Sequence, residues 1–257
     1  MDLAGRRALV TGAGRGIGRA VALDLARAGA SVALAARSLD QIEAAAAEAR
    51  RAGVTARPVA ADVSEPQAVR RMFAEARAAL GGIDILVTAA GIASSAPLIK
   101  TSDECWRGIL ETNLSGVFYC LREALGEMAA RGWGRVVNVA SIAGKTGARY
   151  IGAYAASKHG VLGLTKCAAL EVAERGVTVN AVCPGYVDTP MTDASIERVV
   201  EKTGRPAADV RRQLEAMSPQ KRLYTAQEVS ALVLFLCGDA AAGINGQALS
   251  LDGGTLV

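Results

Sequence analysis

The sequence predicts an α/β fold in a single domain: a doubly wound parallel sheet with helices on both faces. Three observations predict it. Short apolar runs alternate with longer segments of helical spacing along most of the chain. The first apolar run ends in a glycine-rich turn that opens directly into a helical segment. The length of 257 residues suits one large α/β unit, with a sizeable core, better than two small domains.

Taken in order, residues 8–10 form the first apolar run, and 17–28 carry helical spacing that closes at Gly29, a natural C-cap. Residues 31–36 read as a second buried strand, 39–52 as an alanine-rich helix closed by Gly53, and 55–60 as a third strand. A helix over 65–80 breaks at Gly81 and Gly82, and 83–88 supplies strand four. Helical segments over 102–110 and 113–131 precede a strand at 135–139, a helix at 152–175 and a strand at 177–183. Strands separated by helices imply right-handed crossovers and a sheet covered on both sides. Between 184 and 224 the rhythm fails, with prolines at 190, 206 and 219 among charge-rich helical pieces, and this stretch reads as a mobile lid. A helix over 226–236 and a short strand over 248–251 finish the domain, so 1–257 is one unit.

With 51% hydrophobic and 21% charged residues, the composition is that of an ordinary globular chain. The formal charge of +4 is spread over 29 basic and 25 acidic residues without a block of one sign, so neither nucleic acid nor membrane is expected as a partner. Cys105, Cys120, Cys167, Cys183 and Cys237 are widely spaced and form no C-x-x-C pair, which predicts reduced core thiols and no metal site. No stretch approaches a membrane span and the first residues lead straight into a strand-like run, so a soluble cytoplasmic protein is expected.

The turn Thr11-Gly12-Ala13-Gly14-Arg15-Gly16-Ile17-Gly18 sits between the first strand and the first helix, where a dinucleotide pyrophosphate docks on backbone N–H groups and a helix dipole. Gly12, Arg15, Gly16, Ile17 and Gly18 are the candidate contacts. Glycines also serve ordinary tight turns, and it is the position in the chain that favours the binding reading. Roughly 20 positions beyond such a turn, an acidic residue usually grips the ribose of NAD. Here stand Ala36 and Arg37. An arginine there, with Arg15 in the turn, suits a 2′-phosphate through charged forked hydrogen bonds, which favours NADP(H). Asp62 and Val63, after strand three, would approach the adenine, although Asp62 also reads as a helix N-cap.

Ser141 follows the fifth strand, and Tyr154 and Lys158 share one face of the next helix at i and i+4. A free tyrosine has a pKa of about 10, and a neighbouring ammonium lowers it toward the range useful for proton transfer. Lys158 suits that role, and a serine hydroxyl beside Tyr154 suits a substrate oxygen that gains negative charge. His159, the only histidine, points about 100° round the helix from Lys158 and is expected to pack rather than react.

With these residues in place, the chain resembles the short-chain dehydrogenase/reductase family from Arg6 to Gly254, and the resemblance implies a Rossmann-like fold. It rests on the T-G-x-x-x-G-I-G turn, the Y-x-x-x-K pair, Asn113 in Glu111-Thr112-Asn113-Leu114, Ser141 thirteen residues before Tyr154, and Pro184-Gly185 followed by Thr189. The resemblance implies catalytic roles for Asn113, Ser141, Tyr154 and Lys158, with Asn113 supporting a water-linked proton path to the lysine. It also implies that Pro184, Gly185, Val187 and Thr189 contact the nicotinamide end, and that Ala90, Gly91, Tyr154 and Lys158 face the cofactor. One departure stands out: the family usually shows N-N-A-G after strand four, and this chain has Thr88-Ala89-Ala90-Gly91. The asparagine replaced by Ala89 helps tie the family's central sheet together, so local stability is what the change puts in question.

In the 184–224 segment, Tyr186, Met191 and Met217 would line an apolar pocket, while Lys202, Arg205, Arg211 and Arg212 would meet an anionic thioester carrier. The same stretch also reads as a solvated pair of amphipathic helices. The pattern around 141–158 and 177–190 looks most like β-ketoacyl or polyketide ketoreductases and 3-hydroxyacyl dehydrogenases. The expectation is an NADP(H)-dependent oxidoreductase reducing a 3-oxoacyl thioester or related ketone. The alternatives are an NAD(P)-linked dehydrogenase of a sugar, cyclitol or hydroxy acid, and a non-catalytic cofactor-binding regulator. The resemblance further implies a homotetramer packed through 102–131 and 152–175, with Asp252-Gly253-Gly254 near another interface.

Overall fold

Alternation along the strands decides which face of the sheet each helix covers. The computed structural model describes residues 2–256, and within them one parallel sheet is built from seven strands. These are β1 (Arg7–Thr11), β2 (Ser31–Ala36), β3 (Ala56–Ala60), β4 (Ile85–Thr88), β5 (Gly134–Val139), β6 (Val177–Pro184) and β7 (Ala248–Leu251). Their spatial order is β3-β2-β1-β4-β5-β6-β7, so the winding reverses between β1 and β4. Ligands of open α/β sheets bind at such a reversal, outside the carboxyl ends of the strands.

Ala8, Val10, Val32, Leu34, Ile85 and Val87 point to one face and pack under α1 (Gly16–Arg27), α2 (Leu39–Arg50) and a helix later in the chain, Ala226–Cys237. Leu9, Ala33, Ala35 and Leu86 point to the other and pack under the helices Pro66–Leu80, Gly116–Arg131 and Gly152–Val172. In chain order the remaining helices are therefore α3 (Pro66–Leu80), α4 (Asp103–Leu110), α5 (Gly116–Arg131), α6 (Gly152–Val172), α7 (Pro190–Thr203), α8 (Ala207–Ala216) and α9 (Ala226–Cys237). Strands β1, β4, β5 and β6 are buried on both faces over nearly their whole length, which explains their continuous apolar runs.

The structure differs from the sequence expectations in several places. The two helical segments over 102–131 are one continuous helical run, because a wider π-type turn at Glu111–Ser115 joins α4 to α5. Such turns accommodate a residue whose side chain is needed elsewhere, and here that residue is Asn113. The segment after β6 is more regular than expected: it holds α7, α8 and a bridge between Val187 and Tyr224. Only Cys120, Cys183 and Cys237 are core thiols, with Cys105 half-buried and Cys167 exposed. His159 is exposed rather than packed, and its Nδ1 hydrogen-bonds with the Ala155 carbonyl oxygen at 2.9 Å. Among the described residues no helix is long and apolar enough to cross a membrane, and no group of three or more potential metal ligands occurs.

Candidate active site

The candidate cofactor residues follow the carboxyl ends of the strands. The turn carrying Gly12, Arg15, Gly16, Ile17 and Gly18 joins β1 to α1; Arg37 follows β2, and Asp62 and Val63 follow β3. Ala90 and Gly91 follow β4, and Pro184, Gly185, Val187 and Thr189 lead from β6 into α7.

In the turn, two glycines are required by the chain itself. Gly12 has φ +67°, and a Cβ there would stand 2.7 Å from the Ala90 nitrogen, while a Cβ on Gly18 would collide with the Gly12 carbonyl. The turn and the β4 exit are further joined by Thr11 Oγ1, which accepts from the N–H of Ala89 at 3.1 Å and of Ala90 at 3.3 Å. Helix α1 starts at an extended Arg15 with no side-chain cap and no acidic residue in its first turn. Its first N–H groups and positive dipole end therefore suit a pyrophosphate. Arg15, at the start of α1, and Arg37, just after β2, are both exposed, and the residues present fit a dinucleotide. Arg37 Nη1 also lies 3.8 Å from Asp62 Oδ2. Asp62 is not the cap of α3, since that position is Glu65; its Oδ1 accepts from the Ser64 N–H at 3.0 Å and the Ser64 hydroxyl at 2.8 Å. Val63 is buried against Gly116, so its side chain packs while its backbone stays at the edge.

The buried half of the site is a chain of neutral hydrogen bonds around one lysine. Asn113 Oδ1 accepts from the Ile92 N–H at 2.8 Å, and its Nδ2 donates to the Ile92 carbonyl at 2.9 Å and to Ser157 Oγ at 3.2 Å. Ser157 Oγ in turn donates to the Tyr154 carbonyl at 2.7 Å. Lys158 Nζ donates to the Val139 carbonyl at 2.9 Å and lies 5.7 Å from the centre of the Tyr154 ring. A Cβ on Gly91 would stand 3.3 Å from Asn113 Oδ1 and 3.9 Å from Lys158 Nζ, so the β4 exit, α5 and α6 meet here. Ser141 Oγ accepts from the Ala143 N–H at 3.1 Å, and its hydroxyl is near enough to the Tyr154 phenol to ease ionisation there. On the far side, Thr189 closes over Gly16, a Cβ on which would lie 3.5 Å from the threonine.

Burial pushes the Lys158 ammonium down to about 8, partly opposed by the Cys183 thiol nearby. Burial likewise holds the Tyr154 phenol above its ordinary value, with the Ser141 hydroxyl pulling the other way. The lowering expected from Lys158 does not offset that burial, because the ammonium is directed at the Val139 carbonyl rather than at the phenol oxygen. Burial raises the Cys183 thiol, with the Lys145 ammonium pulling the other way.

Ser157, Ile92 and Thr11 were not singled out in the sequence. Ser157 had a signal, standing three residues after Tyr154 in the same helix; Ile92 contributes through its backbone and had none. Beside Ala89, other side chains connect the sheet to α6. Thr88 Oγ1 donates to Asn138 Oδ1 at 2.7 Å, Asn138 Nδ2 to Thr165 Oγ1 at 2.9 Å, and Thr165 Oγ1 to the Val161 carbonyl at 2.8 Å, which ties β4, β5 and α6 together.

A doubly wound sheet whose winding reversal holds an uncapped, glycine-lined helix start beside a Tyr-Lys-Ser-Asn cluster defines a dinucleotide-linked oxidoreductase. The chain belongs to the short chain dehydrogenase family, whose model matches residues 6–199. It is 39% identical over 254 residues to a D-beta-hydroxybutyrate dehydrogenase of Rhizobium meliloti, covering 97% of this chain and 98% of that protein. It is 38% identical over 250 residues to a 3-oxoacyl-[acyl-carrier-protein] reductase of Staphylococcus epidermidis, covering 97% and 98%. Among solved structures, an actinorhodin polyketide ketoreductase variant with NADPH superimposes with a TM-score of 0.94 at 38% identity, covering 99% of both chains.

Proposed function

We propose that the protein is an NADP(H)-dependent carbonyl reductase acting on a 3-oxoacyl thioester or related ketone, with Tyr154 exchanging the proton. The observation that supports the reading is the proximity of Asn113 and Lys158 around Gly91, with Ser157 linking Asn113 to the Tyr154 carbonyl and the Ser141 hydroxyl facing the Tyr154 phenol. The nicotinamide, when bound, supplies or accepts the hydride at the carbon of the substrate. Every other task falls to this chain. The α1 start, Arg15 and Arg37 hold the phosphates; Ala90, Gly91, Pro184, Gly185, Val187 and Thr189 shape the nicotinamide end.

Ser141 orients the substrate oxygen toward Tyr154, whose hydroxyl donates its proton as negative charge builds there. A phenol kept protonated by burial suits an acid in the reductive direction. Lys158 steadies the phenolate that remains, and Asn113, through Ile92 and Ser157, holds the Tyr154 helix and the β4 exit at one distance. Helices α7 and α8 act as a lid, excluding water from the reacting carbon. The similarity to a 3-oxoacyl reductase and a polyketide ketoreductase supports reduction of a β-oxo group. The similarity to a hydroxybutyrate dehydrogenase favours, as a second reading, oxidation of a small hydroxy acid by the same residues. By the same family resemblance the enzyme works as a homotetramer in the cytoplasm.

The deciding experiment follows NADPH absorbance with a panel of 3-oxoacyl thioesters and cyclic ketones, and NAD(P)⁺ reduction with 3-hydroxy acids. Turnover with the thioesters supports the first reading and turnover confined to the acids the second; inertness with all of them would remove both.

A further inference from the structure

Asn113 grips the loop after β4 from below by both backbone groups of Ile92, and α7 holds the same loop from above. Arg198 Nη1 donates to the Ala93 carbonyl at 3.0 Å, while Nη2 donates to Ser195 Oγ at 3.0 Å and so braces the guanidinium against its own helix. One helical turn later, Lys202 Nζ donates to the Ser95 carbonyl at 3.2 Å. The other cations suggested for substrate binding are occupied. Arg211 pairs with Asp188, Asp193 and Glu215, Arg212 with Asp209, and Arg205 donates to Gln213. Among the described residues neither Arg198 nor Lys202 pairs with a carboxylate, so their charge is spent on backbone carbonyls. Arg198 Nε is shielded from solvent with no partner, which marks a side chain inserted in the seam rather than splayed into water.

The loop needs such holders, because residues 89–97 form neither helix nor strand. Its described backbone bonds are few: Ala89 and Ala90 to Thr11, Ile92 to Asn113, and Ala96 N–H to the Tyr150 carbonyl. A segment with so few internal bonds takes its conformation from what clamps it. The two clamps lie on adjacent residues. An unbroken path of hydrogen bonds and backbone thus runs from Arg198 through Ala93 and Ile92 to Asn113, Ser157 and the Tyr154 carbonyl.

We propose that Arg198, assisted by Lys202, is a positioning residue that couples the seating of the lid to the order of the Asn113–Tyr154 cluster. The inference rests on the reading of Tyr154 as the proton donor. When α7 is seated, charged donors, the stronger class of hydrogen bond, hold Ala93 and Ser95, and Ile92 presents both backbone groups to Asn113. When α7 lifts, one of the two clamps is lost, and the loop and the tyrosine helix are free to drift apart. Chemistry then proceeds only under a closed lid.

The test uses the full chain with Arg198→Met, Arg198→Lys, the Arg198→Met/Lys202→Met double variant, and Glu201→Gln, an exposed charge on α7, as a lid-charge control. Steady-state kinetics are read beside hydrogen exchange of residues 91–95 and 190–203 with NADPH bound, and beside the thermal midpoint. Arg198→Met should lower kcat about 10-fold and speed exchange at 91–95, with KM for NADPH and the midpoint near the parent values. Arg198→Lys should recover part of both changes, and Glu201→Gln should change neither. Parent-like exchange and kcat in the double variant would overturn the clamp, as would losses that merely track a lowered midpoint. Should Tyr154→Phe turn over normally, the functional reading falls, while the exchange result still decides whether Arg198 orders the loop.

Discussion

The two ends of the site are built from opposite materials. The nucleotide end relies on backbone N–H groups, steric necessity at Gly12 and Gly18, and the exposed cations Arg15 and Arg37. The proton end relies on Asn113, Ser157 and Lys158, all buried and each partnered inside the protein. Exposed charges are screened and independent, so changing one should alter affinity and leave the fold alone. Buried polar groups depend on one another, so removing one strands its partners. The contrast teaches that cofactor preference can drift by single substitutions, whereas the proton-transfer cluster must be kept or lost as a unit.

The largest effect expected is at Tyr154. Replacing it with Phe should lower kcat by about 100- to 10,000-fold, the usual worth of a general acid, while NADPH titration by fluorescence gives an unchanged dissociation constant. A parallel loss of binding would blur the division between the two ends.

Asn113→Ala comes next, because it leaves the Ile92 N–H and carbonyl without their side-chain partner and removes the donor to Ser157 Oγ. A stability loss of about 2 kcal/mol is expected in urea melts, together with reduced turnover. An alanine variant as stable as the parent would show that the network is not cooperative.

Arg37→Asp tests the other end. It should weaken NADPH relative to NADH by about 10-fold or more, with no change in the urea midpoint beyond about 0.5 kcal/mol. An unchanged preference would take the 2′-phosphate away from Arg37 and leave Arg15 as its sole exposed cation in this corner.

The smallest signal is a slope. Lys158 is lowered from 10.5 to about 8 in the folded protein, so between those values the unfolded chain binds more protons and stability rises with pH. The difference between the parent and Lys158→Met melts should show that rise, at no more than about 1.4 kcal/mol per pH unit, and flat difference curves from pH 8 to 10.5 would contradict the burial of the ammonium. Subtracting the variant removes the opposite trend from Cys120 and Cys237, whose thiols burial pushes up to about 12.

Family resemblance supplied Asn113; by itself the sequence determined the layered fold, the strand and helix order and, as candidates, the glycine turn and the Tyr154–Lys158 pair. Each rests on a local rule: strand burial dictates apolar runs, a helix start near phosphate demands glycine, and i and i+4 share a helix face. Only the tertiary structure decided the rest. It placed Asn113 in a wide turn where its side chain reaches Ile92, turned Lys158 toward the Val139 carbonyl, and joined β4, β5 and α6 through the Thr88–Asn138–Thr165 tie. Those outcomes join residues from 19 to 50 positions apart in the chain, and no periodicity or short motif encodes which backbone carbonyl a buried donor will find.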